Sequence, residues 1–285
     1  MIEFSSVTKC YGRTVALNDF SLTIDRPGIY CLLGRNGAGK TTLLKLLAGH
    51  VAASGGVVAV NGKAVAPLAM PEEVHFVETG GAQFNMRLAD LFKAAADVNP
   101  DFDAAFAAEL AGRFDLDGAK RYKQLSFGMK AKANTIIAMA SGKEILLLDE
   151  PVLGFDPVMR KVFYDLLRES CAESGKTVIV STHIIDEIER TAERLIIIDK
   201  GRLTLFCAMA ELDEKAYCVT GLAEPVRAAT AGLKVIAETK AGGFLSRHVF
   251  DRRIEAGGEY SVSSLGLTDF FVSLVGDEQT NREAM

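Results

Sequence analysis

Apolar positions along this chain follow two rhythms. In the first sixty or so residues they come in short runs. Residues 2–8 and 20–24 alternate apolar with polar and predict edge strands, with residues 9–13 as a turn holding Tyr11 and Gly12. Gly28–Leu33 is apolar throughout and predicts a buried strand, and Leu43-Leu44-Lys45-Leu46-Leu47 predicts a helix ending near Gly49. Residues 57–60 read as a strand running into Asn61-Gly62, a hairpin-turn pair, and residues 74–77 as another short strand. Between about residues 82 and 140 alanine, leucine and charged residues replace the β-branched ones. Leu88, Leu91 and Phe92, then Phe102, Phe106, Leu110 and Phe114, fall at helical spacing, broken at Asn99-Pro100.

The first rhythm returns at Ile145-Leu146-Leu147-Leu148, a run too apolar for a half-exposed strand and suited to a parallel sheet covered on both faces. A helix over about 157–174, a strand over 177–181, a helix over 184–193, a strand over 195–199 and a last strand over 203–206 follow. Such alternation predicts a layered α/β fold with right-handed crossovers. Past about residue 211, strand-like pieces at 216–220, 234–237, 247–250 and 260–262 are separated by glycine pairs, before a closing helix over 270–275. The expected organisation is an α/β domain over residues 1–208, with an inserted helical subdomain at about 82–140. A small α+β appendage occupies residues 209–285.

Composition narrows the function classes. A chain of 285 residues that is 49% hydrophobic and 24% charged can bury a real core. Its formal charge of -5 disfavours non-specific nucleic-acid binding. The five cysteines are scattered without C-x-x-C spacing, the pattern of reduced thiols in a cytoplasm. Met1-Ile2-Glu3-Phe4 lacks the basic-then-apolar layout of a signal peptide, and no apolar run approaches the ~18 residues a membrane helix needs. Work at a membrane is therefore expected to go through a partner.

The densest chemistry lies in Gly34-Arg35-Asn36-Gly37-Ala38-Gly39-Lys40-Thr41-Thr42, a complete match to G-x-x-x-x-G-K-[ST] between a predicted strand and a predicted helix. Glycines let the backbone curl so that its N–H groups face phosphate oxygens, and the helix N-terminus adds partial positive charge. Lys40 is expected on the β- and γ-phosphates and the Thr41 hydroxyl on Mg²⁺. A second element, Leu146-Leu147-Leu148-Asp149-Glu150-Pro151, sets two carboxylates at the end of a buried strand, the sheet edge where ligands sit in α/β folds. Asp149 suits the Mg²⁺ role and Glu150 the polarisation of a water facing the γ-phosphate. Val180-Ser181-Thr182-His183 repeats the arrangement, and His183 is expected to hold the attacking water; His50, His75 and His248 read as structural or surface residues.

With these motifs in place the chain resembles the ATP-binding subunit of an ABC transporter over roughly residues 1–206. The most specific marker is Gln124-Leu125-Ser126-Phe127-Gly128-Met129 before a helix, with Phe127 where the family's signature has its first glycine. Ser126 is a good N-cap, and its hydroxyl, the Gly128 N–H and the helix dipole make an anion site. The resemblance implies that Ser126, Phe127 and Gly128 face the ATP of an opposite subunit. It further implies that Tyr11 stacks on adenine, that Asp156 links the two ATP sites, and that Glu78, or failing it Gln83, contacts Mg²⁺. The implied fold is a P-loop ATPase core with a mixed sheet. The implied function is hydrolysis of ATP with Mg²⁺, by a homodimer or heterodimer on the cytoplasmic face of the membrane, powering export through a separate permease. Variants with Phe127's departure resemble drug- and peptide-exporter subunits. A soluble ABC-type ATPase acting on DNA or ribosomes, and a regulator that binds ATP without using it, are the competing classes. The first usually carries coiled coils or two nucleotide domains, which this chain lacks, and intact Lys40, Asp149, Glu150 and His183 speak against the second.

Overall fold

The computed structural model of the protein describes residues 1–78 and 84–276. The chain divides into two compact units, Met1–Leu205 and Phe206–Met285.

The first unit opens with a hairpin of β1 (Ile2–Tyr11) and β2 (Thr14–Ile24), followed by β3 (Gly28–Leu33) and α1 (Lys40–Leu47). Strands β4 (Gly55–Val60), β5 (Lys63–Ala64) and β6 (Val74–Glu78) come next. Helices α2 (Leu88–Val98), α3 (Ala104–Arg113) and α4 (Phe127–Met139) form the inserted segment. The α/β alternation resumes with β7 (Ile145–Asp149), α5 (Pro157–Ser174), β8 (Thr177–Ser181), α6 (Ile185–Ile188), β9 (Arg194–Asp199) and β10 (Arg202–Ala208).

Two sheets result. An antiparallel one has the order β2-β1-β4-β5, and a six-stranded one the order β10-β9-β3-β8-β7-β6. Within the second, β9, β3, β8, β7 and β6 run parallel. Every residue of β3 and of β7 is buried, as their unbroken apolar runs require of strands covered on both faces. Leu43, Leu44, Leu46 and Leu47 of α1 and Phe163, Tyr164, Leu166 and Leu167 of α5 supply that cover. Each such side chain contributes roughly 1.5–3 kcal/mol by leaving water. In-register pairing of Glu78 with Asp149 and of Asp149 with Ser181 brings three strand ends level at one edge of the sheet.

The second unit contains α7 (Met209–Lys215), β11 (Ala216–Leu222), α8 (Ala223–Ala229), β12 (Val235–Ala241), β13 (Phe244–Phe250), β14 (Tyr260–Ser264) and α9 (Leu267–Val275). Its strands form one sheet in the order β12-β13-β11-β14. Tyr217, Val219, Leu245 and Val249 on one face pack with Val226 of α8 into a small core. On the other face Phe250 meets Phe270 of α9 edge-on, with ring centroids 5.1 Å apart.

Three sequence expectations need correction. The turn expected over residues 9–13 is only Gly12-Arg13, because backbone pairing carries β1 on through Lys9, Cys10 and Tyr11. The helix expected over 184–193 is a single turn, Ile185–Ile188, before the chain loops to Arg194. In the appendage α7 and α8 were not foreseen: each spans seven residues, too short for a clear apolar period.

Candidate nucleotide site

The loop between β3 and α1 is shaped by its glycines. Gly39 takes φ +109° at the helix N-cap, and a Cβ there would sit 2.6 Å from the Ala16 carbonyl oxygen. Only glycine combines that left-handed conformation with so close a backbone approach. The first residue of α1, Lys40, is buried, and its Nζ donates to the Gly34 carbonyl at 2.7 Å and the Arg35 carbonyl at 3.4 Å. Burial lowers the pKa of this amine, against the opposing pull of Glu150 and Asp149. Ala38 closes the loop by donating its N–H to the Arg35 carbonyl at 3.0 Å.

Next along α1, Thr41 donates its hydroxyl to Asp149 Oδ2 at 2.6 Å across 108 residues of sequence. Asp149 is the buried last residue of β7. Glu150 follows in the left-handed region at φ +52°, strained for a side-chain-bearing residue, and its N–H is fixed by the Ser181 carbonyl at 2.9 Å. The turn aims the Glu150 carboxylate at His183, with Oε2 2.8 Å from the ring Nδ1 and 3.4 Å from the backbone nitrogen. Glu150 is mostly enclosed while the His183 side chain is 57% exposed, so the imidazole forms the solvent side of the pair.

These elements border a cavity of about 430 Å³ lined by Tyr11, Ala16, Asn36 to Thr42, Asp149 and Glu150. Tyr11 stands at the end of β1, its ring exposed and approached by Lys9 Nζ at 4.8 Å from the centroid. Thr41 and Asp149 offer only oxygen donors, which suits a hard cation that keeps water and phosphate oxygens in its shell. Among the described residues no group of three or more His, Cys, Asp or Glu side chains forms a self-sufficient metal cage.

Ser126, Phe127, Gly128 and Asp156 do not line this cavity. Ser126 caps α4, accepting the Met129 N–H at 3.3 Å, and leaves the Phe127 ring 48% exposed. Gly128 lies against the Gly154 carbonyl, 2.4 Å from where a Cβ would be, so the start of α4 packs on the loop leading to α5. That loop ends at Asp156, which caps α5 ahead of Pro157 by accepting the Met159 N–H at 3.0 Å. Glu78 closes β6 in an ion pair with Lys45 of α1 at 2.6 Å, outside the cavity lining. Gln83 lies outside the described residues.

Sequence reasoning passed over Ser181. This residue holds Glu150 through its carbonyl, and its own buried hydroxyl has no hydrogen-bond partner among the described residues. A polar residue ending the apolar run Val178-Ile179-Val180 was the available signal.

Fold and site together define a P-loop nucleotide-binding ATPase. The profile of the ABC transporter family matches residues 17–153. The ABC transporter ATP-binding protein YtrB of Bacillus subtilis is 30% identical over 223 residues, which cover 75% of this chain and 74% of that protein. Nod factor export ATP-binding protein I of Cupriavidus pinatubonensis is 31% identical over 223 residues, 71% of this chain and 64% of that protein. The fold matches the dimeric post-hydrolysis state of the ATP-binding cassette MJ0796 bound to ADP and phosphate. There the TM-score is 0.65 at 23% identity, covering 73% of this chain and 99% of that one. The chain thus belongs to the ABC transporter family, among its ATP-binding, ATP-hydrolysing subunits.

Proposed function

We propose that the protein powers export of a substrate through a separate integral membrane permease, using ATP and Mg²⁺. The observation that carries the nucleotide chemistry is the junction of two distant motifs: the Thr41–Asp149 contact at 2.6 Å beside the Glu150–His183 pair at 2.8 Å. Export is supported by the relative named for Nod factor export. Among the described residues no helix is long and apolar enough to cross a membrane. The protein would then work on the cytoplasmic face, held there by the permease.

In this reading Tyr11 offers its exposed ring to adenine, and Asn36, Gly37, Ala38, Gly39, Lys40, Thr41 and Thr42 surround the phosphates, with Gly34 and Arg35 leading into the loop and their carbonyls holding Lys40. Lys40, already held on loop carbonyls, directs positive charge to the phosphate oxygens. Thr41 and Asp149 hold Mg²⁺, which when bound neutralises charge on the phosphates. Glu150 takes the proton of the attacking water, and His183, paired with its carboxylate, holds that water in place. Ser126, Phe127 and Gly128 serve a second copy, homologous or identical, packed head to tail, with Asp156 at the seam between the two. The exposure of Phe127, and the distance of this group from the cavity lining, fit a surface that meets its ligand only in a dimer. Glu78 is offered to Mg²⁺ or to the permease once released from Lys45. Glu78 and helix α2 are offered as the contact with the permease.

The test is Glu150→Gln. General-base removal lowers a rate by roughly 10²–10⁴-fold. The variant should bind ATP like the unmutated protein and hydrolyse it at least about a hundredfold more slowly; unchanged turnover contradicts the assignment.

A further inference from the structure

The second unit carries a polar cluster that nucleotide chemistry does not use. On the face of its sheet opposite the small core, Cys218 of β11 lies in register with His248 of β13 and Ser263 of β14. Cys218 Sγ is 3.1 Å from Ser246 Oγ and 3.4 Å from Thr220 Oγ1, and those two hydroxyls are 3.0 Å apart. The His248 side chain stands opposite the thiol, on the same face of the paired strands. That ring is oriented from behind. Ser273 of α9 spends its hydroxyl proton on the Asp269 carbonyl at 2.7 Å, so its oxygen accepts from His248 Nδ1–H at 2.6 Å. This fixes the tautomer, with Nδ1 protonated and Nε2 left as an acceptor.

The strands also bring Ser261 and Ser263 of β14 and Ala237 and Thr239 of β12 to this face, and α9 over it carries Asp269; among the described residues of these strands, His248 is the titratable side chain paired with Cys218. Burial pushes the Cys218 thiol up, but the neighbouring His248, Ser246 and Thr220 side chains outweigh it and bring it down to about 7. Burial instead pushes Cys171 and Cys207 up to about 11, and Cys31 higher still. Cys218 is half-buried, open enough to react.

We infer that Cys218, with His248 as its proton partner, is a modification site that forms a mixed disulfide with a low-molecular-weight disulfide. In the step, the Cys218 thiolate attacks one sulfur of the disulfide, a new S–S bond forms and the old one breaks. Cys218 sulfur is oxidised, the departing sulfur is reduced, and the proton held by His248 goes to the leaving thiolate. No further oxidant is needed.

The experiment treats the full chain with glutathione disulfide and follows adduct formation by mass spectrometry and peptide mapping across pH. The expected result is one adduct, on Cys218, absent in Cys218→Ser. His248→Gln returns the thiol to an ordinary value near ~8.5. At pH 7 the thiolate fraction then falls about 15-fold, while the more basic sulfur is intrinsically about fivefold more nucleophilic, so the variant reacts about threefold more slowly. Above about pH 9.5 the order inverts and the variant is about fourfold faster. A merely structural histidine would not produce that crossover. Ser273→Ala, which only unfixes the ring, should shift the pH profile in the same direction and covers the case of a misfolded His248 variant. An adduct on Cys10 instead, no adduct, or superimposable pH profiles for protein and variants would overturn the inference.

Discussion

Asp156 shows how much one capping residue does before any nucleotide is involved. The Met159 N–H, helped by that of Val158 and by the Lys132 charge, holds its carboxyl below the usual carboxylate range. A group lowered on folding stabilises the protein fully above its unfolded pKa and loses that contribution as pH falls through the folded one. The thermal midpoint should therefore drop on acidification below about pH 4 by more in the unmutated protein than in Asp156→Asn, whose amide oxygen caps the helix without titrating. Parallel acid profiles would show that the cap's charge has no such role. At this scale the P-loop, Asp149, Glu150 and His183 were legible because each belongs to a contiguous motif. Ser181 was not, since its contact with Glu150 arises only when β7 and β8 pair.

For elements, the strand–loop–helix unit is the sharpest case. Gly39 and Gly37 are both left-handed, at φ +109° and +80°, but a Cβ on Gly39 would strike the Ala16 backbone while one on Gly37 meets open space. Gly39→Ala should therefore destabilise the fold by at least the roughly 1–3 kcal/mol of a strained residue and abolish ATP binding, with Gly37→Ala milder in both. Denaturant unfolding and nucleotide titration of the two variants give the comparison; equal behaviour would mean that the contact with Ala16 does not set the loop. Buried strands were readable for the same reason that they are buried: Leu146-Leu147-Leu148 has no polar side to show water. Short elements were not readable. Residues 184–193 hold enough Ile and Glu to suggest a helix, yet only Ile185–Ile188 coil, and Ile188 is the buried anchor. That β1, β2, β4 and β5 form a sheet of their own is a matter of long-range pairing that local pattern does not encode.

In the whole molecule, the first unit brings the Gly34–Thr42 loop, Asp149, Glu150 and His183 together, whereas Ser126, Phe127 and Gly128 do not line the cavity there. Their place is explained if a second copy completes the site, and nucleotide then favours the dimer by mass action. Slowing hydrolysis should trap that dimer, since the bridging γ-phosphate persists. The decisive measurement is sedimentation of Glu150→Gln with and without ATP and Mg²⁺, alongside Glu150→Gln combined with Lys40→Ala. The account predicts a monomer that becomes a dimer only with nucleotide and only when Lys40 is present. A Glu150→Gln protein that binds ATP and stays monomeric would contradict it.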